Sequence, residues 1–269
     1  MPRRRCTIRR MERDPLSHKG DNGRVAVIGG SFAMHGAPLF SALAAEASGA
    51  DLIHVAVPAV HATVARLTSL NFQVKPFAGD ELTEIDIQPL QELLAALDCA
   101  VIGPGINRSP KTLKVLQTLI AEASCALVLD ASALQPWTLD AVRGKSVILT
   151  PHLGELERMG LSPDDVTNAA IGHGVTIHVK GAVDQIAGDD GSLTEVDGGN
   201  AGLTVGGTGD VLAGLIAGLW SQGFTPKEAC RTASLVIKSA AENLRTQKGF
   251  AYTAQDVIAL IPEFLTRVS

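Results

Sequence analysis

The chain reads GGNAGLTVGGTGD from Gly198 to Asp210 and then continues as an apolar segment. Six glycines fall within twelve residues there, which costs too much chain entropy for a simple turn. Glycines placed before a helix let backbone N–H groups converge on an anion, and the helix dipole adds positive charge at the same point. Because a transferring phosphoryl group spreads negative charge over its oxygens, the pattern predicts a phosphoryl-transfer site.

Asp210 closes this stretch and falls in the first turn of the predicted helix. A carboxylate at that position could accept the proton of an attacking hydroxyl group. The alternative is structural: Asp210 would only cap the helix, and the glycines would only form a turn. The density of glycines favours the functional interpretation. Gly214 and Gly218, four residues apart, instead indicate a face on which another helix packs closely.

Two common nucleotide-binding motifs are absent. The spacing GxxxxGK[ST] does not occur, so the glycine-rich stretch is not a P-loop. Near the N-terminus, Gly29-Gly30-Ser31 follows an apolar run but lacks the GxGxxG spacing of dinucleotide-binding folds. A redox role that uses a dinucleotide therefore loses its main support.

Short apolar runs alternate with helix-like segments along the first half of the chain. The runs predict buried strands at 25–28, 52–57, 100–102, 126–129 and 147–149, and the intervening sequence predicts helices at 37–48, from 59 to 70 and at 110–123. Each run stops at a glycine, a proline or a polar residue. This alternation predicts an α/β fold with a mostly parallel central sheet and helices on both faces.

The second half breaks the alternation. Strands are predicted at 177–180, 183–187 and 193–196, and the last two flank Gly188-Asp189-Asp190-Gly191, which indicates an antiparallel hairpin. After Asp210 the chain is predicted to be helical to its end. No linker or repeat is visible, so residues 23–269 are predicted to form a single catalytic domain. Residues 1–22 are predicted to be a basic, disordered N-terminal extension.

Composition and charge exclude several classes of protein. The longest apolar run, Val211 to Trp220, is shorter than the roughly 20 residues that cross a bilayer, so no membrane partner is expected. The four cysteines are far apart and form no CxxC pair, which argues against a zinc site or disulfide framework and fits a cytoplasmic protein.

The first 13 residues carry six arginines against one acid, whereas the whole chain has a net charge of −5. No apolar segment follows these arginines, so they are not part of a secretory signal. The rest of the chain is acidic and would repel a phosphate backbone, so no nucleic-acid partner is expected.

Five stretches carry a resemblance to a known family. GGTGDVLAG at 206–214 resembles the anion-hole and base motif of the ribokinase-like superfamily. Within that superfamily, the chain is most similar to the ADP/ATP-dependent NAD(P)H-hydrate dehydratases. The other matching stretches are Gly29-Gly30-Ser31 with Gly36-Ala37, Ile102-Gly103-Pro104-Gly105, Thr150-Pro151-His152-Leu153-Gly154-Glu155, and Val179-Lys180-Gly181-Ala182-Val183-Asp184. Together they extend from Val25 to Ala251, nearly the whole chain after the basic segment.

The resemblance implies a three-layer ribokinase-like fold and a set of site residues. By position, it assigns contacts with hydrated nicotinamide dinucleotide to Ala37, Gly105, His152 and Asp210. It assigns contacts with the phosphate-donating nucleotide to Lys180, Gly181, Ala182, Val183, Asp184 and Gly209. Asp210 would be the catalytic base, and the backbone N–H groups of Gly207, Thr208 and Gly209 would form the anion hole. No metal-ligating residue is expected.

The implied reaction is the repair of hydrated NADH or NADPH. ADP or ATP would phosphorylate the hydroxyl on the nicotinamide ring, and phosphate would then leave. Mg²⁺ would arrive mainly with the nucleotide, and a homo-oligomer such as a tetramer is expected. One alternative is a vitamin or sugar kinase of the same fold, which would stop at the phosphate ester. A second is a catalytically silent nucleotide-binding regulator, but such a protein would not need Asp210.

Some site residues have structural alternatives, and the chain departs from the family pattern at three places. Gly105 could only form a turn, Ala37 could only pack, and Lys180 could be a surface charge. The departures are Met34 in place of an aromatic residue, Ser132 in place of an aspartate, and Asn200-Ala201-Gly202-Leu203 in place of Asn-Pro-Gly-Met. These departures concern the exact substrate more than the phosphoryl chemistry.

Overall fold

A computed structural model describes residues 13–268 of the chain. Nine strands form one sheet in the order β3-β2-β1-β4-β5-β6-β7-β8-β9. The strands are β1 (Arg24–Ile28), β2 (Leu52–Ala56), β3 (Phe72–Val74), β4 (Cys99–Ile102), β5 (Ala126–Leu129), β6 (Val147–Leu149), β7 (Thr176–Val179), β8 (Asp184–Ala187) and β9 (Leu193–Val196). The pairs from β3 through β7 are parallel, whereas β8 and β9 pair antiparallel. The predicted mostly parallel sheet with a final hairpin is confirmed.

The helices form a layer on each face of the sheet. They are α1 (Gly36–Ala47), α2 (Ala62–Thr68), α3 (Ile87–Leu94), α4 (Pro110–Glu122), α5 (Thr138–Ala141), α6 (Leu153–Arg158), α7 (Val166–His173), α8 (Thr208–Ser221), α9 (Pro226–Lys248) and α10 (Ala254–Val268). One apolar core contains residues of α1, α8, α9 and α10, and the other contains residues of α3, α4 and α7. This is the three-layer α/β fold that the resemblance implied.

Strand β1 shows how the sequence builds both cores at once. Its side chains alternate across the sheet, so Val25 and Val27 enter one core while Ala26 and Ile28 enter the other. All four are fully buried. A strand covered on both faces needs no polar residue, which explains its continuous apolar run.

Helix α8 packs against α1 through small residues. A Cβ atom on Gly214 would lie 2.0 Å from the carbonyl oxygen of Ser41, and one on Gly218 would lie 2.1 Å from the hydroxyl of Ser48. The helices approach so closely because these positions carry no side chain. The predicted packing face is therefore confirmed, and it fixes the start of α8 beside the start of α1.

The described chain begins with turns that are attached to the sheet. The backbone N–H groups of Gly20 and Asn22 donate to the carboxylate of Asp51, and Arg13 forms an ion pair with it. Residues 1–12 of the predicted extension lie outside the described residues. Among residues 13–268, no helix has the length and apolarity that crossing a membrane requires.

Candidate active site

Asp210 occupies the first turn of α8, as predicted. The helix begins after Gly207, whose φ of 101° lies in the left-handed region that glycine adopts without strain. The Ser41 hydroxyl of α1 donates to the Asp210 carbonyl oxygen at 2.9 Å, which ties the two helix starts together. The backbone of Asp210 is therefore fixed from outside its own helix.

Burial raises the pKa of Asp210 to about 7, and the nearby Asp130 carboxylate acts in the same direction. The Lys180 ammonium opposes that rise in pKa, and Glu155 adds to it. A carboxyl group with this pKa exchanges its proton near neutral pH. That property is the one a general base needs.

Lys180 follows β7 and joins the carboxylates around Asp210. Its Nζ donates to Asp130 Oδ1 at 2.7 Å and lies 3.6 Å from Glu155 Oε2. Burial alone would lower the pKa of Lys180, but the charges of Asp130 and Glu155 outweigh it, so the pKa is raised. Lys180 is thus a partly buried, paired cation beside the predicted base and not a free surface charge. A Cβ on Gly209 would lie 3.4 Å from this ammonium.

Asp130 was not predicted as a site residue. It directly follows β5 and is only 2% exposed, and its Oδ1 accepts bonds from Lys180 and from the Thr150 hydroxyl. The next residue, Ala131, has a φ of 52°, a backbone conformation that residues other than glycine rarely adopt. Parallel strands open their ligand sites at the carboxyl ends, so a strand ending on an aspartate was the available signal.

His152 caps α6 at the same edge of the sheet. Its Nδ1 accepts from the N–H groups of Gly154 and Glu155, so Nδ1 carries no proton and any hydrogen on the neutral ring sits on Nε2. The backbone N–H of His152 in turn donates to the Glu155 carboxylate at 3.0 Å. The ring is held as a donor, and its side chain is 57% exposed. Glu155 was also missed as a site residue, although it belongs to the quoted motif.

A cavity of about 820 Å³ lies in front of α8. Its lining includes six of the residues predicted for nucleotide or anion binding, and these are Lys180, Gly181, Ala182, Asp184, Thr208 and Gly209. Predicted residues Gly207 and Val183 are not part of the lining, and Val183 is exposed. His152 also borders the cavity, which places it beside the predicted nucleotide residues.

Asp184, which was predicted to contact the nucleotide, forms its hydrogen bonds with other residues of the protein. Its carboxylate accepts from the Gly181 N–H at 2.9 Å and the Ser234 hydroxyl at 2.5 Å, and it lies 3.3 Å from His178 Nε2. Burial would raise the pKa of Asp184, but the nearby His178 ring and the bonds from Ser234 and Gly181 outweigh it and lower the pKa. Asp184 therefore holds the turn between β7 and β8.

The remaining predicted substrate residues lie side by side. Gly105 has a φ of 70°, and a Cβ there would lie 3.3 Å from the Cβ atoms of both Ala37 and Met34. Ser132 donates to the Ile106 carbonyl oxygen at 2.7 Å and so braces the turn after Gly105. The structure thus brings Gly105 and Ala37 together at the start of α1, next to the helix that carries Asp210.

Comparison with known proteins identifies the family. A family model described as NAD(P)H-hydrate dehydratase matches residues 25–263, which is most of the chain. The chain belongs to the NAD(P)H-hydrate dehydratase family. The resemblance seen in the sequence motifs is therefore confirmed.

Individual relatives support the assignment to the NAD(P)H-hydrate dehydratase family. The ADP-dependent (S)-NAD(P)H-hydrate dehydratase of Cenarchaeum symbiosum is 38% identical over 93% of this chain and 90% of its own length. A crystal structure of the ADP/ATP-dependent NAD(P)H-hydrate dehydratase of Bacillus subtilis, co-crystallised with ATP and Mg²⁺, is 26% identical with a TM-score of 0.80. It covers 96% of this chain and 94% of its own. A ribokinase-like protein of Enterococcus faecalis, 24% identical, covers 96% and 92% with a TM-score of 0.82, which confirms the ribokinase-like fold.

Proposed function

We propose that this protein restores NADH or NADPH from the hydrated form by means of a nucleotide phosphate. In the first step, the hydroxyl oxygen on the nicotinamide ring attacks the terminal phosphorus of ADP or ATP, and the bond to the departing nucleotide breaks. In the second step, the ring-nitrogen lone pair expels the new phosphate group. Loss of a proton from the adjacent ring carbon then restores the double bond.

Asp210 carries the proposal. Its carboxyl group has a pKa of about 7 and stands in the first turn of a helix that starts on glycine. From that position it would accept the proton of the substrate hydroxyl as the oxygen attacks phosphorus. A pKa near the working pH brings the carboxylate close to the optimum for accepting and releasing that proton.

The start of α8 would stabilise the transferring phosphoryl group. The first N–H groups of a helix have no partner within the helix, so those of Thr208 and Gly209 are free to bind phosphate oxygens. The Thr208 hydroxyl donates to the Leu203 carbonyl oxygen at 2.7 Å, which holds this turn. Lys180 adds a positive charge beside this helix start, since a Cβ on Gly209 would lie 3.4 Å from its Nζ.

The positions of the other predicted residues support their proposed roles. We assign the nicotinamide end of the substrate to Ala37 and Gly105, with His152 donating through Nε2. The nucleotide would lie along Gly181 and Ala182 in the cavity. We propose ADP as the preferred donor, since the 38% identical relative is named as ADP-dependent.

Magnesium would enter with the nucleotide. Among residues 13–268, no group of three or more His, Cys, Asp and Glu side chains could hold a metal ion. Mg²⁺ commonly binds through substrate phosphates with few protein ligands, and the cavity leaves room for such a complex. The ion would neutralise phosphate charge during transfer. We further propose a cytoplasmic homo-oligomer, as the family resemblance implies.

The products decide between this reaction and the kinase alternative. Purified protein is incubated with hydrated NADH, Mg²⁺ and either ADP or ATP. The near-ultraviolet absorbance of reduced nicotinamide is followed together with free phosphate. We expect NADH, phosphate and the spent nucleotide in equal amounts. Accumulation of a stable phosphate ester without free phosphate would instead identify a kinase.

A further inference from the structure

Lys238 is a buried lysine that the proposed mechanism does not use. It lies in the middle of α9, borders the cavity, and is only 5% exposed. Lysine is almost never buried unless it is paired, because removing an ammonium from water is costly. A buried ammonium such as that of Lys238 therefore points to a role for its hydrogen bonds in fixing the surrounding backbone.

The bonds of Lys238 reach two separate loops. Its Nζ donates to the carbonyl oxygen of Ala182 at 2.7 Å and to that of Gly181 at 3.4 Å, both in the turn between β7 and β8. It also donates to the carbonyl oxygen of Gly198 at 3.4 Å, in the segment after β9. The Asp184 carboxylate lies 3.7 Å away and balances the charge.

Other residues of the same helix face continue this attachment. The Ser234 hydroxyl donates to Asp184, and the Glu242 carboxylate accepts from the Gly199 N–H at 3.1 Å. Ser234, Lys238 and Glu242 are each four residues apart, so they lie in one row along α9. This row of side chains therefore contacts both loops that border the cavity.

We infer that Lys238 is a positioning residue that holds these two loops in their nucleotide-binding arrangement. The inference rests on the proposed function, since it concerns how ADP is bound. In a trans peptide, the carbonyl and the following N–H point in opposite directions. Turning the Ala182 carbonyl to Lys238 thus turns the Val183 N–H away from α9. A loop fixed before binding does not lose that conformational freedom when the nucleotide enters.

The test is Lys238→Met, which keeps much of the side-chain length and removes the charge and its donors. We expect the Kd for ADP, measured by calorimetry, to rise roughly 10- to 100-fold, the scale of a lost charged hydrogen bond. The KM for hydrated NADH and the kcat at saturating ADP should change less than about threefold, since neither the base nor the anion hole is altered. A purely structural role would not separate the two substrates in this way.

Lys227→Met is the matched control, because Lys227 lies on the same helix but pairs with Asp190 outside the cavity. It should bind ADP as the wild type does. Lys238→Gln keeps a donor and should recover part of the affinity, and it replaces the methionine variant if that variant does not fold. A folded variant at position 238 with wild-type ADP affinity overturns the inference. Wild-type protein that binds ADP but never restores NADH would instead refute the proposed function, and the binding comparison would still stand.

Discussion

Asp210 derives its chemistry from burial and from three charged side chains that the fold brings around it. Asp130 and Glu155 raise its pKa, and Lys180 lowers it, while burial sets the main direction. Lys180 is itself held by the two carboxylates, so it offsets part of their negative charge and still attracts Asp210. The balance leaves a carboxyl group that can both take up and release a proton near pH 7.

Asp210→Asn tests the proposed base. The amide keeps the size of the side chain and removes the proton acceptor, so turnover should fall roughly 10²-fold or more. ADP affinity should stay within a few-fold, because the anion site consists of backbone N–H groups. Steady-state rates and calorimetry measure the two effects. Asp164→Asn, at an exposed acid outside the cavity, serves as the control. Equal losses in both variants would remove Asp210 from the mechanism.

The pH dependence should report the same group. With a pKa of about 7, Asp210 is protonated below neutral pH, so kcat/KM should rise as pH increases through about 7 and then level off. The rising limb is measured from pH 5.5 to 8.5 at fixed ionic strength. A profile already flat from pH 5.5 upward would mean that the essential base has an ordinary carboxyl pKa.

The raised pKa of Asp210 also makes the stability of the folded protein depend on pH in a defined direction. Folding raises the pKa of Asp210, so between about pH 4 and 7 the folded state binds a proton that the unfolded state has lost. The stabilisation from this group is therefore present below about pH 4 and is lost as pH rises through 7. Asp210→Asn should accordingly raise the melting temperature at pH 8 relative to the wild type, and much less at pH 5. The opposite ordering would indicate that Asp210 is stabilised as a carboxylate.

Helices and strands that carry a clear local sequence pattern were predictable. The strands that became β1, β4, β5 and β6 are continuous apolar runs, and Thr225 and Glu228 form a capping box at the start of α9. Strand β3 was missed because it has three residues at the sheet edge and one of them, Gln73, is exposed. Helix α6 was missed because its six residues directly follow a strand end without a long apolar period.

The arrangement of the candidate site was predictable where one stretch of sequence forms it. Gly209 and Asp210 lie in a single glycine-rich segment, so their proximity needed no tertiary information. Asp130 and Lys180 are 50 residues apart, and only the sheet order makes them neighbours. The same limit applies to Lys238, which is an ordinary helical lysine until the loops that it holds are known.

Gly214→Ala tests the contact between α1 and α8. The added Cβ would lie 2.0 Å from the Ser41 carbonyl oxygen, and backbone cannot move aside as a side chain can. Overpacking of this kind costs about 1–3 kcal/mol or more, so the denaturation midpoint should drop clearly. Gly172→Ala in α7 is the control, since a Cβ there meets nothing within 4 Å and alanine favours a helix. It should be neutral or slightly stabilising. Equal effects would show that α1 and α8 can separate at little cost.

The candidate site lies at the edge of the sheet where the parallel strands end in polar residues. Asp130 and Lys180 follow β5 and β7, and His152 comes shortly after β6, so three neighbouring parallel strands deliver side chains to one edge. Helices α8 and α9 then close the cavity from one face of the sheet. The cavity therefore depends on α8 and α9 packing against the same sheet that carries these polar side chains.

That dependence leads to a prediction about the complete molecule. The two apolar cores lie on opposite faces of one nine-stranded sheet, and each strand of the centre contributes to both. Neither core can therefore unfold without exposing the other. We expect one unfolding transition, with equal midpoints by tryptophan fluorescence and far-ultraviolet circular dichroism. ADP with Mg²⁺ at about 100 times its Kd should stabilise the folded state by roughly 2.7 kcal/mol and move the whole transition upward. Two separated transitions, or a shift of only one of two, would mean that residues 23–269 contain more than one folding unit.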